Sequence, residues 1–323
     1  MKLLVTGASG FIGTNFVEYF SRIADCELLN LDIQKPLNPE HVRFWKKGDI
    51  MNPAELESAF AAFAPTHVVH MAARAECDEN TTVEEGYAVN TVGTENVLNA
   101  IRKTPSIERV IIISTQYVCG PGRLPESDTD YFPHTVYGQS KVITEQLTRA
   151  ADLNCVWTLV RPTNIWGPWH LRYRREAWRV INKGMYMHPG GRPVVRSYGY
   201  VGNIVWQMDQ IFKADKNTVD RQVFYVGDRP IDIYDWVDAF SMALRGQHAR
   251  RVPRFVLAPI GRVGDLCEKC GKTFPLTSSR FNNMISDYLT PMEKTFDTFG
   301  EPPFSLTQGV DQTVLWLKDH LLR

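Results

Sequence analysis

The sequence predicts an α/β fold: a doubly wound parallel sheet followed by a smaller C-terminal lobe. Three observations predict it. Short apolar runs alternate with longer stretches of helical periodicity through the first half of the chain, the signature of βαβ units. Several of those runs are continuously apolar, as strands covered on both faces are. The pattern weakens after Arg161, and Trp, Tyr and Arg crowd between Trp166 and Trp178. The expected division is a first domain over 1–165, joined by a returning strand near 221–227, and a lobe formed mainly by 166–323.

Leu3–Thr6 reads as the first strand, followed by a glycine-rich turn and a helix over Phe11–Arg22. Cys26–Leu31 is the second apolar run and Val42–Trp45 the third; Asp49 then precedes a helix over Pro53–Phe63. His67–Met71 is the fourth run, ahead of a long helical pattern from Thr82 to Arg102. Arg109–Ser114, the fifth, enters a loop rich in Pro and Gly, and a helix over Thr135–Ala150 follows. Cys155–Val160 is the sixth run, and Gln222–Val226 is the strand that returns to the sheet.

Composition narrows the class. A chain of 323 residues buries a sizeable core. Its 36 Lys and Arg balance 36 Asp and Glu, so the basic excess of a nucleic-acid binder is missing. Six cysteines are too few for a disulfide scaffold. No apolar run approaches the ~20 residues of a membrane span, and Met1–Val5 runs straight into Thr6-Gly7 without a secretory signal. The expectation is a cytoplasmic protein with neither membrane nor nucleic acid as partner. Cys267-x-x-Cys270 is half of a zinc site with no second pair, so no metal is expected. Arg172, Arg174, Arg175 and Arg179 read as solvated arginines or phosphate contacts.

The first chemical motif is Thr6-Gly7-Ala8-Ser9-Gly10-Phe11-Ile12-Gly13, after a strand and opening a helix. Gly7, Gly10 and Gly13 suit a tight turn that brings backbone N–H groups, those of Phe11 and Ile12 among them, to a pyrophosphate at the helix N-terminus. The spacing is G-x-x-G-x-x-G, a variant of the dinucleotide fingerprint. Asp32 closes the second strand about 20 residues on, where an acid accepts from the adenosine ribose and repels a 2′-phosphate, favouring NAD. Asp49 and Ile50 either meet the adenine or, for Asp49, cap a helix. The fold is thus Rossmann-like.

The second is Tyr137-Gly138-Gln139-Ser140-Lys141, which sets Tyr137 and Lys141 on one helix face. A free tyrosine titrates near ~10, too high for a base at neutral pH. A neighbouring ammonium favours the phenolate and makes Tyr137 a general acid/base. The pair follows Ile111–Thr115, a strand ending in two hydroxyls, and ligands bind at the C-terminal ends of such strands.

These stretches resemble the extended short-chain dehydrogenase/reductase family, in its nucleotide-sugar epimerase/dehydratase branch. Further matching segments are His70-Met71-Ala72-Ala73, Asn90–Thr94, Ser114–Gly120, Arg161–Pro168 and Arg196–Val201. The resemblance implies that Thr115 bonds the substrate hydroxyl being oxidised and that Tyr137 takes its proton. Lys141 would hold the nicotinamide ribose, and Ala72 and Asn90 would line the cofactor. Asn164 would lie near the sugar or diphosphate. Arg196 would pair with the diphosphate, the alternative being a surface arginine. It also implies a site in the cleft between domain and lobe, and a homodimer through the helices around Thr82–Arg102 and Thr135–Ala150.

Departures from the family pattern choose among reactions. Relatives that dehydrate or decarboxylate carry acids just after the threonine, where this chain has Gln116-Tyr117. The 3,5-epimerising relatives add a cysteine that Tyr117 does not supply; Cys119 and Cys77 read as structural. Hydride chemistry remains. The expectation is an NAD-dependent nucleotide-sugar 4-epimerase, with a nucleotide-4-keto-sugar reductase or a non-catalytic NAD(P)-binding sensor as alternatives.

Overall fold

The computed structural model describes residues 1–271, 274 and 276–321. Two compact units share the chain. One comprises Met1–Ile165, Gly199–Asp228 and Thr290–Pro303, the other Trp166–Tyr198, Arg229–Leu289 and the residues from Phe304 onward.

In the first unit seven strands form one sheet: β1 (Lys2–Thr6), β2 (Glu27–Asp32), β3 (Trp45–Lys47), β4 (His67–His70), β5 (Arg109–Ile113), β6 (Val156–Pro162) and β7 (Gln222–Val226). Their order is β7-β6-β5-β4-β1-β2-β3, and every pairing is parallel. The doubly wound sheet is therefore present, with the returning strand beside β6. The longer helices are α1 (Phe11–Phe20), α2 (Pro53–Phe63), α3 (Ala88–Arg102), α4 (Val136–Ala150) and α5 (Val201–Lys213). Alternate strand residues serve opposite faces: Leu3, Val5 and Val69 pack with Phe16, Phe20 and Met208 of α1 and α5, while Leu4, Val68 and Ile112 pack with Phe60, Leu98 and Ile101 of α2 and α3. This two-sided burial is why the strands read as unbroken apolar runs.

Two elements differ from the sequence expectation. The run Val42–Trp45 is not a strand. Pro39–Phe44 form a 3₁₀ turn whose first residues are capped by the Asn38 side chain, and only Trp45–Lys47 joins the sheet. Pro39 has no N–H to give a ladder, and its φ suits a turn. The helix expected from Thr82 to Arg102 is interrupted at Tyr87 (φ −129°, ψ 22°). The Tyr87 hydroxyl donates to the Glu76 carbonyl and accepts from Asp78 N. Those tertiary bonds hold the residue out of helical geometry.

Helix α4 is fixed to the sheet by a buried ion pair. Arg161 of β6 donates through Nη2 to Glu145 Oε2 at 2.7 Å and through Nε to Oε1 at 2.8 Å. Side-chain exposure is 1% for Arg161 and 0% for Glu145. Ser114, just past β5, also donates to Oε1, and Tyr131 donates to Oε2 at 2.9 Å. Arg161 spends its other donors on Tyr225 Oη of β7 (3.0 Å) and the Asp128 carbonyl (2.7 Å). Both ions are thus hydrogen-bonded on several sides, which a desolvated pair requires.

The second unit contains α6 (Ile233–Arg245), α7 (Arg254–Lys269), α8 (Ser278–Met284) and α9 (Leu306–Leu321). It also has short strand pairs, Val195–Arg196 with Ile231–Asp232 and Met187–Pro189 with Arg250–Val252. Of the aromatics crowded between Trp166 and Trp178, those two tryptophans are core and Trp169 and Tyr173 are half-buried; the Trp166 ring lies 6.1 Å from Trp236 and 5.5 Å from Phe240, and Trp178 lies 5.5 Å from Phe240. Among the accompanying arginines, Arg172 is exposed and pairs with Glu176 at 3.0 Å.

Glu145→Ala is expected to cost about 3–5 kcal/mol, because it leaves the Arg161 charge buried and unpaired. The double replacement Glu145→Leu with Arg161→Met should cost less than that single change. Urea unfolding of the three proteins checks the ordering.

Candidate active site

The glycine turn sits where the chain switches direction in the sheet, between β1 and β4. Gly7 has φ +78°, and a Cβ there would fall 2.4 Å from the Cα and N of Ala72. A Cβ on Gly13 would fall 2.3 Å from Ala8 Cα. Gly10, the residue before α1, meets nothing closer than the Gly7 carbonyl oxygen at 3.7 Å, so packing does not require it. The first turn of α1 contains no acidic residue and Gly10 supplies no capping side chain. The amides of Phe11, Ile12 and Gly13 lie at the positive end of the helix.

Two side chains of β2 hold this turn. Ala8 N donates to Asn30 Oδ1 (3.2 Å), and Asn30 Nδ2 donates to Ser9 Oγ (3.0 Å). Ser9 N donates to Asp32 Oδ2 (3.0 Å), and Gln34 N donates to Oδ1 (2.9 Å). Each carboxylate oxygen keeps a further lone-pair direction, which a ribose diol can use. The glycine cradle, the N–H set and the oriented Asp32 carboxylate therefore fit a dinucleotide. Asn30 was missed in the sequence; its signal was a polar residue within an apolar strand run.

Helix α4 starts at a Thr135 cap, whose hydroxyl accepts from Gly138 N at 2.9 Å. It presents Tyr137, Lys141 and Glu145 at i, i+4 and i+8 on one face. Tyr137 lies close enough to Thr115 for that hydroxyl to favour its phenolate, and its ring lies 6.2 Å from those of Tyr87 and Tyr117. Burial pushes the Tyr137 phenol above its ordinary value, with the Thr115 hydroxyl opposing. That is the reverse of the direction expected from Lys141, because desolvation of the anion dominates. Burial also pulls the Lys141 ammonium down to about 8, with the Glu145 carboxylate opposing.

Asn90 is a brace. Its Nδ2 donates to the Arg74 carbonyl (3.0 Å) and Ser140 Oγ (2.9 Å), and its Oδ1 accepts from Arg74 N (2.8 Å). Both amide hydrogens are spent tying the segment after β4 to α4. His70 lies between Thr6 (2.7 Å) and Thr94 (3.0 Å). Burial and the Lys141 charge take it down to about 3, so it is neutral.

Asp49 does not cap α2; it accepts from Met51 N at 2.9 Å, and Asn52 is the cap. The Ile50 side chain lies in the core with Leu31 and Val97. Asn164 carries a buried Nδ2 with no hydrogen-bond acceptor, and its Oδ1 is 3.5 Å from Tyr117 Oη. That donor suits an oxygen-rich ligand. Arg196 belongs to the second unit and is buried rather than solvated. It donates through Nε to the Ser286 carbonyl at 3.0 Å and through Nη2 to Asn283 Oδ1 at 2.8 Å. Its fork is largely given to that segment, a structural clamp. Cys119 is buried, 3.6 Å from Tyr225 Oη, and Cys77 is exposed. Among the described residues no group of three or more His, Cys, Asp or Glu could hold a metal, and Cys267 and Cys270 form no such group.

A profile of the NAD dependent epimerase/dehydratase family matches residues 3–227. The chain is 29% identical to N-acetyl-alpha-D-glucosaminyl-diphospho-ditrans,octacis-undecaprenol 4-epimerase of Escherichia coli O157:H7, over 97% of this chain and 94% of the relative. It is 27% identical to UDP-glucose 4-epimerase of Vibrio cholerae, over 97% and 94%. Among solved structures it resembles a UDP-glucose 4-epimerase from Thermotoga maritima with UDP-glucose, at a TM-score of 0.76 and 20% identity, over 99% and 100% of the two chains. It likewise resembles a UDP-glucuronic acid 4-epimerase from Bacillus cereus with UDP-glucuronic acid and NAD, at 0.75 and 18%, over 99% and 100%. The structural likenesses establish the fold.

Gly7→Ala is expected to destabilise the protein by about 3 kcal/mol or more, since a positive φ and a backbone clash coincide. Gly10→Ala should cost about 1 kcal/mol or less while lowering the dinucleotide retained on purification. Thermal unfolding and dinucleotide assay separate the two. For Lys141, the folded chain resists a charge that the unfolded chain accepts up to about 10.4. The unfolded state therefore binds more protons between about 8 and 10.4, and stability rises with pH through that window. Lys141→Met should abolish this rise and stabilise the ligand-free protein at pH 7 by on the order of 2 kcal/mol, read from urea midpoints at both ends of the window.

Proposed function

The chain belongs to the NAD dependent epimerase/dehydratase family, and on that footing we propose that it is a 4-epimerase of hexosyl diphosphates, nucleotide sugars foremost. The observation that carries the reading is the α4 face, with Tyr137 beside Thr115 and Lys141 one turn on, next to a strand end where Gln116 and Tyr117 supply no carboxylate. Two full-length relatives named as 4-epimerases support the same position on the sugar. One acts on a nucleotide sugar and the other on a sugar diphosphate carried by a polyprenol, so the hexosyl diphosphate is the shared chemistry.

Bound NAD would supply transient oxidation at sugar C4 and its reversal. The glycine turn would take the dinucleotide's diphosphate and Asp32 its adenosine ribose. Thr115 would hold the O4 hydroxyl against Tyr137 Oη, which accepts the proton and later returns it to O4. Lys141 would bond the second ribose and hold positive charge beside the phenol. A cation brought to this buried pocket offsets the desolvation that holds the Tyr137 proton on. Tyr137 Oη would hold the proton while the 4-keto sugar turned over in the pocket, and would return it to O4 whichever face is presented. Asn164 Nδ2 would donate to the sugar or its diphosphate. The same reading carries a homodimer through α3 and α4, where Val92 is an exposed apolar residue.

Acid denaturation of protein purified without added cofactor should release near-stoichiometric NAD, as an enzyme that stores and returns a hydride requires. Tyr137→Phe should keep that NAD and lose about 10²–10⁴-fold in turnover of UDP-glucose or of a polyprenyl-diphosphate sugar. An empty protein that binds NADH or NADPH reversibly would instead make it a reductase. Undiminished turnover by Tyr137→Phe would overturn the mechanism.

A further inference from the structure

Helix α7 (Arg254–Lys269) has apolar residues on two faces. One face is buried: Leu257 is fully covered, and Gly264 lies so close to the neighbouring segment that a Cβ would fall 2.0 Å from the Leu276 carbonyl oxygen. The other face is open. Phe255 is 78% exposed, Val263 54% and Leu266 64%, with Val256 also exposed. Positions 255, 259, 263 and 266 follow helical spacing, so these side chains share one stripe. Scattered exposed apolar residues are ordinary, but a contiguous stripe marks a contact surface.

The charge around the stripe is one-sided. Between Arg250 and Lys272 the sequence has six Lys and Arg against two Asp and Glu, in a chain whose net charge is zero. Arg250, Arg262 and Lys269 are exposed. Asp265 is turned towards α8, where its Oδ1 accepts from Ser278 N at 2.9 Å. Just ahead of α7, Arg250 pairs in register with Met187, another exposed apolar residue.

We propose that the open face of α7 is an interfacial docking surface for an anionic lipid bilayer. Phe255, Val263 and Leu266 enter the headgroup boundary, and Arg250, Arg262 and Lys269 meet lipid phosphates. Bulky apolar groups on one side and basic groups at the margins are what a helix lying in that interface needs, and the anionic leaflet complements the local positive charge. The expectation of no membrane contact rested on the lack of a spanning segment. Among the described residues no helix is long and apolar enough to cross a membrane, and a helix lying in the interface does not cross. A surface of this kind would bring a lipid-carried hexosyl diphosphate within reach. That last clause rests on the proposed function; the docking does not.

Vesicle sedimentation of the full chain tests it, with phosphatidylglycerol-rich and pure phosphatidylcholine vesicles. The wild type is expected to pellet with the anionic vesicles and far less with the neutral ones. The pairs Phe255→Ser with Leu266→Ser, and Arg250→Glu with Arg262→Glu, should each reduce pelleting at least roughly ten-fold. Both should keep bound dinucleotide, which shows them folded. Wild type left in the supernatant, or undiminished pelleting by the serine variant, overturns the proposal. So does a serine variant that changes oligomeric state instead of vesicle binding, since the face would then meet a second copy. Failed pelleting with intact epimerisation leaves the proposed function standing, and pelleting without turnover leaves the docking standing.

Discussion

The Glu145–Arg161 pair is the constraint on which the site depends. It joins α4 to β6, takes in Ser114 beyond β5, and reaches Tyr225 on β7. Because Glu145 is one turn beyond Lys141 and two beyond Tyr137, locking it fixes the rotation of the helix about its axis. Tyr137 then points at Thr115 without depending on a mobile loop. Two full charges without solvent are tolerated because hydrogen bonds reach both from several sides. That leaves little freedom for α4 to shift, and Asn90 adds a second tie from the segment after β4.

The same burial that fixes the helix sets its electrostatics. Desolvation raises the Tyr137 phenol and lowers the Lys141 ammonium, so each is pushed towards its neutral form. His70 is driven neutral as well, partly by Lys141. The pocket is thus poised against charge. A ligand that brings positive charge changes that balance far more here than it would in water. In the proposed mechanism, cofactor binding and proton transfer by Tyr137 would be coupled through this dielectric.

At the other edge of the site the backbone governs. Gly7 and Gly13 let β1, the Ala72 segment and α1 approach more closely than any side chain permits. Gly10 stands apart from that packing, a reason to assign it to a ligand rather than to the fold. Asn30 and Asp32 give the turn its shape by accepting its amides, so the acid expected to read a ribose also holds the loop that would read a phosphate.

Sequence alone determined the parallel sheet, because strands buried on both faces must be apolar throughout and helices between them must be amphipathic. It also marked the glycine turn and the Tyr137–Lys141 face, since both are local patterns with fixed spacing. It misplaced the third strand, where an Asn38 cap and Pro39 start a turn that runs on into the apolar residues. It could not show the break at Tyr87, whose bonds to Glu76 and Asp78 follow no period. Nor could it show that Arg196 would be spent on Asn283 and Ser286, that Glu145 would find Arg161, or that α7 would keep an apolar face in the open. Those outcomes depend on which distant groups meet in the folded chain and on how far water is excluded around them, and only the tertiary structure decides either.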